Sequence, residues 1–143
     1  STIVAEYDTI LAFSVTKWIH LNFGDQGLKR FFKRLYRTLL PGGRLILEPQ
    51  PWSSYRLKRR MTVKTRSVFD EELIELIDTS VLERHNGDIN QIEFKPTEFV
   101  SYLLSTEVGF ETCTTIATPD HTHKGREYFR DYSIDKLNGC VAF

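Results

Sequence analysis

The feature that most constrains this chain is a pair of short apolar runs separated by an amphipathic stretch and a Pro-Gly-Gly stop. Residues 7–13 read Y-D-T-I-L-A-F and residues 44–48 read R-L-I-L-E. Short runs with apolar residues side by side, rather than alternating, suit strands buried on both faces of a parallel sheet. Between them Leu28, Phe31, Phe32, Leu35 and Leu39 fall at i, i+3, i+4, i+7 and i+11, with Lys29, Arg30, Lys33, Arg34 and Arg37 filling other positions. That spacing draws one apolar stripe along a helix and leaves a basic, solvent-facing outer side. Pro41-Gly42-Gly43 stops the helix, because proline cannot continue the hydrogen-bond ladder and glycine enters a left-handed cap at little cost. Strand, helix, turn and strand make a βαβ unit with a right-handed crossover, so the fold class is α/β.

The rest of the chain extends that unit. Pro49 and Pro51 remove backbone donors and push their predecessors to extended geometry, so residues 49–55 (P-Q-P-W-S-S-Y) form a shaped loop at the strand's carboxyl end. A basic run follows at 56–66, then an acidic-faced helix at 70–83 with Leu73, Ile74, Ile77 and Val81 inward. After a turn at 85–88, residues 89–94 read as a short extended piece. Lys95-Pro96-Thr97-Glu98 then opens a helix to about Ser105, with Thr97 or its neighbour near the cap. The β-branched run at 111–117 is a further strand. Beyond Pro119 only Tyr128-Phe129 hints at another strand, and 131–143 does not read as a closing one. No repeat or linker divides the chain, and 143 residues with 41% hydrophobic side chains suffice for one domain with a core.

Composition excludes some functions and leaves others open. Lys plus Arg (19) balance Asp plus Glu (19), so no overall basic field draws the chain to nucleic acid, and attraction must come from local clusters. No apolar run approaches the roughly 18 to 20 residues of a membrane span, and residues 1–6 lack a signal peptide's charged and apolar regions. A soluble intracellular protein, with no membrane partner, is the expectation. Cys113 and Cys140 have neither metal-ligand spacing nor the density of a disulfide scaffold, and read as reduced thiols. Asp120, His121 and His123 lack a further ligand at useful spacing, so no metal is expected.

Three stretches can carry chemistry. Ser14 to Asn22 (S-V-T-K-W-I-H-L-N) follows the first strand, where open parallel sheets bind ligands beyond the strands' carboxyl ends. Lys17, His20 and Asn22 offer donors to an anion, and Trp18 can stack on a ring or cover a sulfonium. The competing reading is a polar loop with Trp18 as core filler and His20 as a satisfied turn histidine. Glu48 to Tyr55 is the second stretch: its prolines present Trp52, Ser53, Ser54 and Tyr55 at low entropic cost. Against that stands a stiff connection with Trp52 plugging the core. The third is the basic run Arg56, Lys58, Arg59, Arg60, Lys64 and Arg66, which can track phosphates beside Trp52 and Tyr55, or can pair as a solvated face with the acidic helix.

Two of these stretches also carry a resemblance. L-A-F-S-V-T-K-W-I-H-L-N-F-G-D-Q-G-L-K-R-F-F, followed by L-L-P-G-G-R-L-I-L-E-P-Q-P-W-S-S-Y, closely resembles the bicoid-interacting-protein family of S-adenosylmethionine-dependent RNA methyltransferases, which includes the 7SK RNA methylphosphate capping enzyme. F-K-P-T-E-F, S-T-E-V-G-F and A-T-P continue the likeness in order, over residues 7–124. The resemblance implies a seven-stranded Rossmann-like methyltransferase sheet in which residues 7–13, 44–48 and 111–117 are the fourth, fifth and sixth strands. The glycine-rich cofactor loop and the acidic residue of earlier strands lie outside this sequence. The expectation is therefore a single partial domain over 1–143, the C-terminal part of the sheet without its glycine-loop half. The stretch 56–90 is longer than the family's loop and reads as an RNA-contacting insertion.

What the resemblance implies about function is methyl transfer from S-adenosylmethionine to the 5′ phosphate of a small non-coding RNA. Lys17, His20, Asn22 and Tyr55 are then the catalytic-site expectations at the phosphate end. Phe13, Ser14, Thr16 and Trp18 are expected at the cofactor wall. Trp52, Ser53, Ser54, Arg56, Lys58, Arg59 and Arg60 are expected on the RNA side. Ribonucleoprotein partners and a location in the nucleus or the cytoplasm, the nucleus slightly favoured, go with that reading. Its rivals are a non-catalytic RNA-binding or scaffold module derived from the family, and a methyltransferase acting on a small metabolite.

Overall fold

The computed structural model describes residues 2–57, 89–116, 132–135 and 141–142. The two apolar runs are neighbouring parallel strands: β1 is Tyr7–Phe13 and β2 is Leu39–Glu48, with Leu11 opposite Ile46 and Phe13 opposite Glu48. Pro41-Gly42-Gly43 lies inside β2 and not in a helix cap. Tyr7 pairs with Leu39 and Thr9 with Arg44, so a step of two residues on one strand matches a step of five on the other, and the surplus bulges out at the glycines. Gly42 needs its left-handed φ of +79°, and a Cβ on Gly43 would stand 2.8 Å from the Leu40 carbonyl oxygen. The second strand therefore starts earlier than its apolar run, and the preceding helix ends without glycine.

That helix, α1 (Thr16–Thr38), also starts twelve residues before the periodic stripe at Leu28, because Gly24 (φ 66°, ψ −168°) kinks it in mid-course. The kink puts the apolar positions before and after it out of phase, so a single helical period sees only the second half. Residues 16–22 are thus helical turns and not a loop. The outer side is less solvated than its charges suggest: Lys29 lies over the Phe94 and Tyr102 rings, Lys33 pairs with Glu107 at 3.2 Å, and Arg37 alone of the five basic residues is exposed.

After β2 comes helix α2 (Trp52–Leu57), then single 3-10 turns at Ile89–Gln91 and Pro96–Glu98, helix α3 (Phe99–Leu103), and strands β3 (Thr112–Thr115), β4 (Tyr132–Asp135) and β5 (Val141–Ala142). Three expectations change here. The P-W-S-S-Y segment is a turn of helix beyond residue 51, the piece at 89–94 begins as a 3-10 turn, and the tail does contribute strands. At the Lys95 cap the Glu98 carboxylate accepts the Lys95 amide at 2.7 Å, so of Thr97 and its neighbour it is the neighbour that caps. The sheet order is β1-β2-β5-β4-β3, and β4 runs antiparallel to both β2 and β3. This is an α/β fold compatible with part of a Rossmann-like methyltransferase sheet. The acidic helix at 70–83, most of the basic run, Tyr128-Phe129 and the Asp120–His121–His123 group lie outside the described residues.

The core forms where α1 and α3 cover β1 and β2. Ile19, Leu28, Phe32, Leu45, Leu47, Phe99 and Leu103 are wholly buried there, each worth about 1.5–3 kcal/mol of apolar burial. Phe32, Phe94 and Phe99 meet at centroid distances of 4.9 to 6.4 Å, fastening the 94–103 segment across the helix. Among the described residues no helix is long and apolar enough to cross a membrane.

Candidate active site at the carboxyl edge of the sheet

Where β1 ends, Ser14 takes a left-handed φ of 56°, a conformation costing about 1–2 kcal/mol outside glycine. Its amide donates to the Glu48 carbonyl at 3.1 Å and its hydroxyl to the Glu48 carboxylate at 3.1 Å. Gln50 closes the corner: its Nε2 donates to the Ser14 carbonyl, and its Oε1 accepts the Lys17 amide at 3.3 Å and the Thr16 hydroxyl at 3.4 Å. Two prolines hold the glutamine between them. Strain concentrated at a strand edge and held by its neighbours is a common accompaniment of a functional site.

One helical turn on, Lys17 projects toward α2. Its ammonium donates to the Ser54 hydroxyl at 3.4 Å and stands 4.8 Å from the centre of the Trp18 ring, although the residue is only 7% exposed. Ser54 in turn donates to the Pro51 carbonyl at 2.8 Å, so the hydroxyl is held. Trp52 lies 4.9 Å from the Tyr55 ring, and Lys95 caps its other side at 3.7 Å while donating to the Ile92 carbonyl. A cation, a hydroxyl and a tryptophan therefore meet beyond the ends of β1 and β2, and Trp52 packs with Trp18 on the same cluster around Tyr55.

Behind them is a buried polar chain. His20 is wholly buried, with Nδ1 3.2 Å from the Tyr55 hydroxyl and Nε2 2.7 Å from Asp25 Oδ1. Asp25 Oδ2 accepts the amides of Glu93 and Phe94, both at 3.0 Å. Burial pushes the Asp25 carboxyl up, but hydrogen bonds from His20, Phe94 and Glu93 outweigh it and hold it below the usual carboxylate range. Burial, helped by the Asp25 charge, pushes the Tyr55 hydroxyl far above its usual value, so it stays protonated. The carboxylate only accepts, so His20 Nε2 carries a proton. When the ring is neutral its Nδ1 accepts from Tyr55.

The structure brings together many of the residues singled out in sequence. Lys17 meets Ser54 and Trp18, His20 meets Tyr55, and Ser14 and Thr16 share Gln50. Asn22 turns back to its own helix, donating to the Trp18 carbonyl at 2.8 Å. Phe13, 45% exposed, ends β1 at the open edge, and Ser53 is exposed on α2. Arg56 lies on α2 by its backbone, while Lys58, Arg59 and Arg60 lie outside the described residues. Sequence reasoning missed Asp25, Gln50 and Lys95. Asp25 falls between two glycines ahead of the helical stripe and Gln50 between two prolines of the shaped loop, so neither was assigned a role of its own. Only the proximity of residues 92–95 to Trp52 reveals Lys95. A cavity of about 460 Å³ lined by Ile3, Tyr7, Ile10, Phe31, Arg34 and Thr38 lies at the opposite, amino end of β1, away from the carboxyl edge where such sheets bind ligands.

The bicoid-interacting protein 3 family model matches residues 7–134, from β1 into β4. The chain belongs to this family. Over 120 residues, 84% of its length, it is 46% identical to the mouse 7SK snRNA methylphosphate capping enzyme and 40% identical to the fruit-fly U6 snRNA methylphosphate capping enzyme. It spans 15% of the former relative and 33% of the latter. A shorter match, 46% over 54 residues, covers 38% of the chain and 18% of the bovine RNA 5′-monophosphate methyltransferase. The family's shared segments thus include both loops that build the corner.

Proposed function

We propose that this corner belongs to an S-adenosylmethionine-dependent RNA methyltransferase that methylates the 5′ phosphate of a small RNA, with residues 1–143 supplying the later strands of its sheet. The observation that carries the reading is the Lys17–Ser54 pair at the carboxyl edge, with the Trp18 ring against the ammonium and Trp52 packed on the same cluster around Tyr55, in a chain whose relatives are named for 5′-phosphate methylation and methylphosphate capping. A phosphate monoester has its second pKa near about 6 and is largely dianionic at neutral pH, so its oxygen attacks without a general base. Placement is then the main task, and fixing reactants in line is worth up to about 7–11 kcal/mol.

Lys17 has the donor for a phosphate oxygen, and the Ser54 hydroxyl, its proton held by the Pro51 carbonyl, accepts from the ammonium and aims it. The Trp18 ring against the ammonium holds it in place while leaving it charged. His20 and Tyr55 act behind them, holding α1 and α2 at the spacing this pair needs, while Asn22 braces the Trp18 turn of α1. Ser53 is exposed on α2, and Arg56, Lys58, Arg59 and Arg60, which follow it in the sequence, are the candidates for contact with the RNA backbone. On the donor side the residues fit one wall of a cofactor pocket: Phe13 offers an aromatic edge, Ser14 a strained backbone corner and Trp18 a ring face, whereas the Thr16 hydroxyl is taken by Gln50. S-adenosylmethionine, when bound, supplies the methyl group as an electrophilic sulfonium.

The test is Lys17→Ala in the full-length protein. RNA methylation falls while affinity for S-adenosylhomocysteine stays near wild type. Equal loss of both removes Lys17 from the substrate side, and no loss of either removes it from the site.

A further inference from the structure

The buried chain behind the corner is more elaborate than packing requires. A fully buried imidazole surrounded by Phe94, Phe99 and Tyr55, at ring distances of 6.1, 6.0 and 5.6 Å, is a costly core residue unless both ring nitrogens are engaged. Here they are, by Asp25 and Tyr55 from two different parts of the chain, and Asp25 brings in a third. Nε2 reaches Asp25 just past the Gly24 kink, and Nδ1 reaches Tyr55 on α2. Asp25 also ties down the 93–94 backbone, two residues from the lysine that caps Trp52.

We infer that Asp25 is a positioning residue: through His20 Nε2 it fixes which ring nitrogen faces Tyr55, and so clamps α2, with Ser54, against the Lys17 end of α1. This rests on the functional reading above, since the pair being positioned is the phosphate-end pair. The direction of each hydrogen bond makes the device specific. A carboxylate at position 25 accepts from Nε2–H, leaving Nδ1 to accept the Tyr55 hydroxyl, and both contacts point the same way along the chain. An amide at position 25 keeps the shape. Its oxygen, in the place of Oδ2, still accepts both the Glu93 and Phe94 amides, but its NH2, in the place of Oδ1, faces His20 Nε2 and turns the ring into the other tautomer. Nδ1 then becomes a donor, and the Tyr55 hydroxyl must rotate to accept from it. Asp25 touches neither substrate nor cofactor in this account, and Lys17 and Ser54 keep their roles.

The experiment compares wild type with Asp25→Asn and Tyr55→Phe in the full-length protein, by nitrogen NMR of the His20 ring assigned with His20→Gln, and by RNA methylation kinetics and S-adenosylhomocysteine titration. Wild type is expected to show Nε2 protonated, and Asp25→Asn the inverted pattern. Both variants should lower kcat/KM for 5′-phosphate RNA by about ten- to a hundredfold, the scale of a small misplacement of reacting groups, at unchanged S-adenosylhomocysteine affinity. An unchanged ring pattern in Asp25→Asn overturns the inference, as does an inverted pattern with wild-type kinetics. If Asp25→Asn fails to fold, Tyr55→Phe decides, because it removes one oxygen and leaves the packing; wild-type kinetics there refute the clamp. An inactive wild type that binds neither RNA nor S-adenosylhomocysteine refutes the functional reading and with it the positioning role. A wild-type His20 with Nε2 unprotonated refutes the inference whatever the activity.

Discussion

Gln50→Ala isolates the clamp over the strained end of β1. Three hydrogen bonds from the Gln50 side chain hold the Ser14 carbonyl, the Thr16 hydroxyl and the Lys17 amide. The two at 3.3 and 3.4 Å are long and count for about 0.5 kcal/mol each, and the third for about 1 kcal/mol, so the substitution costs about 2 kcal/mol. That is about thirtyfold in the folding equilibrium. Part of what the clamp opposes is the left-handed Ser14, so Ser14→Gly in the Gln50→Ala background should recover about 1 kcal/mol. In both backgrounds the change also loses the exposed hydroxyl bond to Glu48, which offsets part of that gain. The assay is urea unfolding followed by tryptophan fluorescence, apt because Trp18 and Trp52 both border the corner. A Gln50→Ala protein within about 0.5 kcal/mol of wild type, or a Ser14→Gly that destabilises both backgrounds by more than about 1 kcal/mol, would refute the reasoning.

Gly43→Ala should destabilise by about 1–3 kcal/mol, since its Cβ would meet backbone oxygens at 2.8 and 3.1 Å. Gly42→Ala, with open space but a positive φ, should cost about 1 kcal/mol, and equal costs for the two in thermal unfolding would contradict the bulge geometry. Tyr55 is neutral and buried, with its pKa raised, so its contribution is complete below the unfolded-state value near about 10 and is lost as pH rises beyond it. Stability of Tyr55→Phe should therefore fall less steeply than wild type above about pH 10. Asp25 has the opposite sign: its pKa is lowered, so its contribution holds above about pH 4 and is lost in stronger acid, and Asp25→Asn should flatten that acid limb in a pH series of denaturation curves. Charge reversal at Arg59 and Arg60 should flatten the salt dependence of RNA binding; an unchanged slope returns them to a solvated face.

Much of the fold was legible because it rests on local pattern. The 7–13 and 44–48 runs, the 28–39 stripe and the β-branched 111–117 segment each announce an element by composition and period, and the two runs pair in parallel as read, although β1 buries only Ala12 and is not covered on both faces. The first half of α1 was not legible because Gly24 shifts its phase. The Pro-Gly-Gly segment was read as a stop, its usual role, when the parallel register needed a bulge. Strands of four and two residues at Tyr132–Asp135 and Val141–Ala142 are too short to show a period, and only their neighbours make them strands. At the site, residue types and position at a strand's carboxyl end pointed to Lys17, His20, Ser54 and Tyr55 one by one. That His20 meets Tyr55 across 35 positions, and that Asp25 and Gln50 complete the corner, is tertiary geometry with no local trace.

The central claim is methyl transfer to an RNA 5′ phosphate, and one comparison tests it most directly. The full-length protein is incubated with methyl-labelled S-adenosylmethionine and either of two RNAs identical except for a 5′-monophosphate or a 5′-hydroxyl end. Label should appear only on the phosphorylated RNA and should be removed with its 5′-terminal phosphate. Label on both RNAs, or on neither with the protein folded, would contradict the account.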